Sequence, residues 1–276
     1  GNHDYIIETG GLRVFPRLIA AHARQEGENA LASTDLPELD ALLGGGLDRG
    51  TSTLLIGAAG AGKSSLATHV ILAAADRGER SAVFLFDESE RALLTRSRGL
   101  GFNLDQRMDE GLVQIHPLDP AEVSPGEFVD RIRRAVEEDG VQVVVIDSLN
   151  GYMNAMPEER FLLIQLHELL SYLGQLGVMT LLINAQQGLI GPMSSTVDVS
   201  YLADTVILLR YYETRGEVRQ ALSVLKKRTG AHERTIRELR IRSGGLQIGE
   251  PLHYLRGVLT GVPQEEHAPA MMSTSE

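Results

Sequence analysis

Gly57-Ala58-Ala59-Gly60-Ala61-Gly62-Lys63-Ser64 is a complete G-x-x-x-x-G-K-S sequence, and it decides the fold. Each fixed position has a chemical task. Gly57, Gly60 and Gly62 let the backbone curl so that successive N–H groups converge on phosphate oxygens, and Ala61 and Ser65 lie within the same cradle. Lys63 reaches the terminal phosphates, and Ser64 offers a hydroxyl to Mg²⁺. The flanks fit. Thr53-Leu54-Leu55-Ile56 is a short apolar strand, and Ser65 to Ala74 is a helix-forming run closed by Gly78. Strand, glycine loop and helix in this order predict a nucleoside triphosphate site with Mg²⁺ beside the phosphates.

Working outward, apolar runs alternate with amphipathic ones. Ser81 to Phe86 reads as a strand, followed by a helix through Arg98. Leu112 to His116 is a further strand. Gly126 to Glu138 places Phe128, Ile132 and Val136 on one helical face, with Gly140 beyond its end. Val141 to Ile146 is an almost wholly apolar strand, as both-faced burial requires. A Leu-rich helix is predicted from Pro157 to near Gly177, then a strand from Val178 to Ile183. This alternation predicts a mostly parallel sheet flanked by helices. After residue 200 the pattern changes. Thr205–Leu209, Gln220–Leu225 and Thr235–Ile241 read as strands, with a turn at Thr214–Glu217, so antiparallel hairpins end the domain.

The 276 residues contain no Cys, which excludes disulfides and thiolate metal sites and fits a reducing cytoplasm. No run approaches the roughly 18 apolar residues of a membrane span. The net charge of −11 gives no support for a nucleic-acid partner.

Ile7-Glu8-Thr9-Gly10-Gly11-Leu12-Arg13-Val14 is echoed by Ile241-Arg242-Ser243-Gly244-Gly245-Leu246-Gln247-Ile248, identical at four of eight positions. Two readings stand. The echo is either a duplicated domain end or a pair of unrelated Gly-Gly turns between strands. On the first reading, residues 1–30 are the tail of a preceding domain and a linker, residues 31–262 are the ATPase domain, and residues 263–276 are a mobile tail.

Hydrolysis needs more than the loop. Val143-Val144-Val145-Ile146-Asp147 is an apolar strand ending in Asp. Placed beside the loop strand, it would bring Asp147 to the Ser64-bound ion; an Asp there is also a common helix cap. Asp87 and Glu88 end another buried strand. Glu88 is the expected base, and Asp87 suits an N-cap. In Lys226-Lys227-Arg228, strand alternation sends Lys226 and Arg228 to one face and Lys227 to the other. These cations either serve a neighbouring subunit's phosphate or are a solvated strand end.

Taken together, these residues resemble the KaiC family, RecA-like ATPases of the bacterial circadian clock and their non-clock relatives, over most of residues 30–262. Leu39-Asp40-Ala41-Leu42-Leu43-Gly44-Gly45-Gly46-Leu47 is similar to the family's lead-in to the loop. Phe86-Asp87-Glu88-Ser89 is similar to its catalytic acidic pair, Ile146-Asp147-Ser148-Leu149 to its Walker B strand, and Lys226-Lys227-Arg228 with His232 to its trans-acting Lys-x-Arg element. Ala203 to Glu217 looks closest to the second ATPase domain of the two-domain members. The resemblance implies a RecA-like P-loop fold and a homo-oligomeric ring, typically a hexamer, with ATP between subunits. It also implies signalling or clock-type partners. It further implies autophosphorylation on a Ser-Thr pair whose matching positions are Ser200 and Tyr201. Two departures count against autokinase activity: Tyr201 replaces a Thr, and Asp87 is a methylene shorter than the usual Glu. Ser200 is thus a candidate acceptor or an ordinary loop hydroxyl.

A RecA/RadA-type or DnaB-type DNA motor would share the fold, and Gln186-Gln187 is similar to the recombinase's γ-phosphate-sensing Gln. Such motors need Lys and Arg in their DNA-facing loops; none occurs from Phe161 to Leu209, and the expected loop after the Asp147 strand, Asn150 to Glu159, is acidic. A scaffold that binds ATP only to assemble is the third reading.

Overall fold

The computed structural model describes residues 3–16, 18, 30–154, 159–186, 199–260 and 263–265. Its centre is a nine-stranded sheet. The strands, in chain order, are β5 (Ser52–Ala58), β6 (Arg80–Leu85), β7 (Val113–Pro117), β8 (Val141–Asp147), β9 (Met179–Gln186), β10 (Thr205–Thr214), β11 (Glu217–Lys227), β12 (Arg237–Arg242) and β13 (Gly245–Pro251). Four short strands precede them: β1 (Asp4–Glu8), β2 (Gly11–Phe15), β3 (Leu31–Ala32) and β4 (Leu47–Asp48). The spatial order is β13-β12-β11-β10-β5-β9-β8-β6-β7. The run from β10 to β7 is parallel, and β11, β12 and β13 add antiparallel strands beyond β10.

Both sheet faces are covered. Val143 and Val145 of β8 point into one core layer with Leu55, Val83 and Leu85, beneath α1 (Pro37–Leu42), α2 (Lys63–Asp76), α3 (Glu90–Gly99) and α4 (Leu104–Asp109). Val144 and Ile146 point into the other with Leu54, Ala82 and Phe84, beneath α5 (Pro125–Glu137), α6 (Leu149–Asn154) and α7 (Glu159–Gln175). This is why β8 is apolar throughout rather than alternating. Phe128 of α5 meets Phe84 and Phe86 edge-on, at centroid distances of 5.7 and 5.2 Å, a favoured aromatic geometry.

Three sequence expectations change. The Asp147 strand does not lie beside the loop strand, because β9 is inserted between β8 and β5. Residues from Asn150 onward, expected as a loop, begin as helix α6, tied to β9 by the Asn150 amide, which accepts from Ala185 N at 2.7 Å and donates to Ala185 O at 3.0 Å. Gln264–Glu265 (β15), expected in the tail, pairs with Leu255–Arg256 (β14); residues 266–276, like Pro157, lie outside the described residues.

The β10–β11 turn was legible: Arg215 and Gly216 both have positive φ, +51° and +74°, as a two-residue hairpin of this twist requires. The internal echo is structural too. Ile7 faces Leu12 and Glu8 faces Gly11 in the β1–β2 hairpin, and Ile241 faces Leu246 and Arg242 faces Gly245 in β12–β13. The two segments fold in one register. The β1–β2 hairpin rests on α5, where Gly126 N donates to Asp4 Oδ2 at 2.7 Å and Arg13 pairs with Asp130 at 3.6 Å.

Candidate functional site at the carboxyl edge of the sheet

The parallel strands β5, β6, β8 and β9 all end at one edge. In open α/β sheets, ligands bind outside the carboxyl ends of the strands. The loop after β5 is held by packing that admits no side chain. A Cβ on Gly57, at φ +152°, would lie 1.9 Å from Leu209 O; one on Gly62, at φ +104°, would lie 2.5 Å from Ile241 Cδ1; and one on Gly60, at φ +76°, 2.8 Å from the Tyr211 hydroxyl. The loop is thereby pressed against β10 and β12. Gly62 is the left-handed N-cap of α2, with no side-chain cap and no acid in the first turn, so the opening N–H groups of that helix keep their donor capacity. Ala61 and Ser65 are buried beside it.

Lys63 is buried, and its ammonium donates to Gly57 O at 2.9 Å and Ala58 O at 2.7 Å. Burial pushes its pKa down to about 8, against the opposing pull of Asp147. A buried cation whose ammonium donates to two neutral carbonyls is suited to an anion. The Ser64 hydroxyl lies close to Asp147, whose carboxyl is held above the usual range, chiefly by burial. Asp87 and Glu88 push the same way, while Ser64 and the Arg96 guanidinium oppose it. Among the described residues no cluster of three or more His, Asp or Glu forms a protein-only metal cage. A hydroxyl and one carboxylate fit Mg²⁺, which keeps most of its shell for water and phosphate oxygens. The residues present therefore fit both ATP and Mg²⁺.

The acidic pair divides its work differently from the sequence expectation. Asp87 is not the N-cap of α3; Ser89 is, accepting from Ala92 N at 3.3 Å. Asp87 Oδ2 accepts from the Ser148 hydroxyl, and its Oδ1 lies against α6, where a Cβ on Gly151 would come within 2.7 Å. Glu88 is half-buried and ion-paired to Arg96. Arg96 and Ser148 are the residues that motif reading missed. Arg96 lies on a helix turn with no motif of its own, and its signal is visible only once α3 is folded back over Glu88.

Lys226, Arg228 and Ser200 do not join this site within the chain. Lys226 Nζ donates to Ser200 O at 2.9 Å and Ala203 O at 2.7 Å. Arg228 donates to Tyr201 O at 2.8 Å and faces Asp204 at 3.6 Å. Lys227 points the opposite way, as alternation predicts, to Asp48 at 2.9 Å. Lys226 stands opposite Val206, which stands beside Leu54. That is four residues short of Ala58, about 13 Å at the usual rise per strand residue. The cations and Ser200 therefore sit at the amino edge of the sheet, and the loop and acids at the carboxyl edge. Ser194, Ser195 and Thr196, the neighbouring hydroxyls, lie outside the described residues.

A family model described as "ATPase: KaiC" matches residues 32–253. The chain belongs to the KaiC ATPase family. It is 30% identical over 261 residues to the "Circadian clock protein KaiC3" of Synechocystis sp., covering 94% of this chain and 51% of that protein. It is 28% identical over 264 residues to the "Circadian clock oscillator protein KaiC" of Parasynechococcus marenigrum, covering 95% and 51% respectively. The protein of the same description from Synechococcus elongatus is 27% identical over 264 residues, covering 95% and 50%. The chain thus spans about half the length of these KaiC relatives. The family match and the mostly parallel sheet with terminal hairpins agree on a RecA-like α/β fold. No helix among the described residues is long and apolar enough to cross a membrane.

Proposed function

We propose that this KaiC-family chain hydrolyses ATP at the interfaces of a homo-oligomeric ring, hexameric by family resemblance. Each site would join the carboxyl edge of one subunit to the amino edge of the next. Its role would be signalling or clock-like regulation rather than DNA transport. The observation that supports this reading is the separation of the two half-sites by the width of one sheet. A single chain cannot fold Arg228 onto its own loop, and a head-to-tail ring brings the two edges together without bending either.

The roles follow from the chemistry. Lys63 and the Gly57–Gly62 amides bind the β- and γ-phosphates. Ser64 and Asp147 hold Mg²⁺, which supplies neutralisation of charge on the phosphate oxygens. A Glu88 carboxylate oxygen accepts the proton of a water as that water's oxygen attacks the γ-phosphorus and the bond to ADP breaks. Asp87, fixed by Ser148, holds the strand end that carries Glu88. Arg228 and Lys226 of a neighbouring copy offset charge developing on the transferred group. Where the attacking oxygen is Ser200 Oγ of that neighbour, the same balance leaves phosphoserine and ADP.

Incubation with Mg²⁺ and γ-labelled ATP, read by free phosphate and by intact mass, tests this. Released phosphate supports hydrolysis, and a stable mass gain of one phosphate supports autophosphorylation. Nucleotide bound with neither outcome would reduce the chain to a scaffold. DNA-stimulated turnover would favour the recombinase-type reading, to which Gln186 at the end of β9 is the one contributing feature.

A further inference from the structure

We propose that Arg96 is a γ-phosphate-binding residue acting within its own subunit, and that its ion pair with Glu88 is exchanged for the phosphate when ATP enters. This deepens the proposed ATPase site and rests on that reading. The two arginines near the end of α3 behave differently. Arg98 lies on the exposed side and pairs with Asp105 at 2.5 Å, a surface contact. Arg96 turns inward. One guanidinium nitrogen, Nη1, pairs with Glu88 Oε1 at 2.5 Å. The other, Nη2, is buried and has no hydrogen-bond partner among the described residues. The same guanidinium is near enough to Asp147 to oppose the burial-driven rise of that carboxyl. Arg96 thus stands over the Glu88–Asp147–Ser64 cluster, on the side where the terminal phosphate and Mg²⁺ would lie.

A buried guanidinium N–H without an acceptor is costly to keep, and a guanidinium is built to bind two oxygens at once. Glu88 satisfies one nitrogen only. A γ-phosphate carries more charge and presents oxygens that can take both, so it is the better partner. The exchange has a chemical consequence. While paired to Arg96, Glu88 has its Oε1 turned to the guanidinium rather than to a water. Transfer of Arg96 to the phosphate releases Glu88 to act on water, so the base becomes competent only when a triphosphate is bound. ADP, lacking the γ-phosphate, leaves the pair closed.

The test is the preference for triphosphate over diphosphate. The full chain is titrated calorimetrically with Mg²⁺-ADP and with a non-hydrolysable Mg²⁺-ATP analogue, as wild type, Arg96→Ala, Arg96→Lys and Arg98→Ala. Thermal unfolding checks that each is folded. Arg96→Ala is expected to lose about tenfold or more of the preference for triphosphate, as loss of a charge-assisted hydrogen bond implies, with ADP affinity nearly unchanged. Arg96→Lys, which keeps the charge but not the fork, is expected to fall between, and it carries the test should the alanine variant not fold. Arg98→Ala is expected to match wild type. An unchanged preference in both Arg96 variants would overturn the inference while leaving the ATPase reading intact. A wild-type chain that binds neither nucleotide would overturn both.

Discussion

Lys63→Met makes the most quantitative demand on the candidate site. In the folded chain the Lys63 pKa is pushed from 10.5 down to about 8 by burial. Below about pH 8 the ammonium is charged in both folded and unfolded states, and its desolvation cost is fully present. Between about 8 and 10.5 the unfolded chain binds more protons at this site than the folded one, so stability rises with pH. Above 10.5 both are neutral and the cost is gone. At about 1.4 kcal/mol per pH unit, that interval integrates to roughly 3 kcal/mol. Methionine keeps the length of the side chain and has nothing to titrate. Its loss of the bonds to Gly57 O and Ala58 O is a constant offset in pH. The wild-type minus Lys63→Met unfolding free energy, from urea titrations at pH 7 to 10.5, should therefore climb by roughly 3 kcal/mol. ATP should also bind near pH 8.5 with proton uptake, because a phosphate beside the ammonium raises its pKa. A difference curve flat across that range would refute the buried-cation account of Lys63.

Glu88→Gln should leave ATP bound and slow its hydrolysis by about 100-fold or more, the usual share of a general base. Asp87→Asn should act more weakly, through the Ser148 contact, and the reverse ranking in single-turnover assays would exchange their roles. Gly57→Ala should destabilise the chain by about 3 kcal/mol or more, because its Cβ would meet Leu209 O at 1.9 Å and separate β5 from β10; unaltered thermal unfolding would contradict that packing. If phosphate is retained on the protein, mass mapping should place it on Ser200 and find it lost in Ser200→Ala, whereas phosphate on Tyr201 alone would contradict the assignment.

Much of this was legible in the sequence because local chemistry set it. The glycine loop has one workable geometry between a buried strand and a helix, and Val143–Ile146 had to be buried on both faces. What the sequence hid were non-local facts. The insertion of β9 between β8 and β5 is a matter of strand order, which no local pattern encodes. The role of Asp87 depended on Ser148, 61 residues away, so its nearer use as a cap was the natural reading until Ser89 took that place. The β4 acid Asp48, paired with Lys227, was equally invisible. Helix α4 buries only Leu104 fully and so carried no periodic signal. Alternation did correctly part Lys226 and Arg228 from Lys227, but only the β10–β11 register placed them at the edge away from the loop.

That placement makes the trans arrangement the central claim, and mixing two inactive variants tests it most directly. Glu88→Gln lacks the base, and Arg228→Ala lacks the cation offered to a neighbour. Each is expected to have little turnover alone. In rings assembled from equal amounts of both, an interface works when an Arg228→Ala subunit supplies the loop and base and a Glu88→Gln subunit supplies Arg228. With random assembly through head-to-tail interfaces, that is about a quarter of all interfaces, so turnover should recover to roughly a quarter of wild type. A mixture that assembles and stays as inactive as its components would contradict a site shared between subunits.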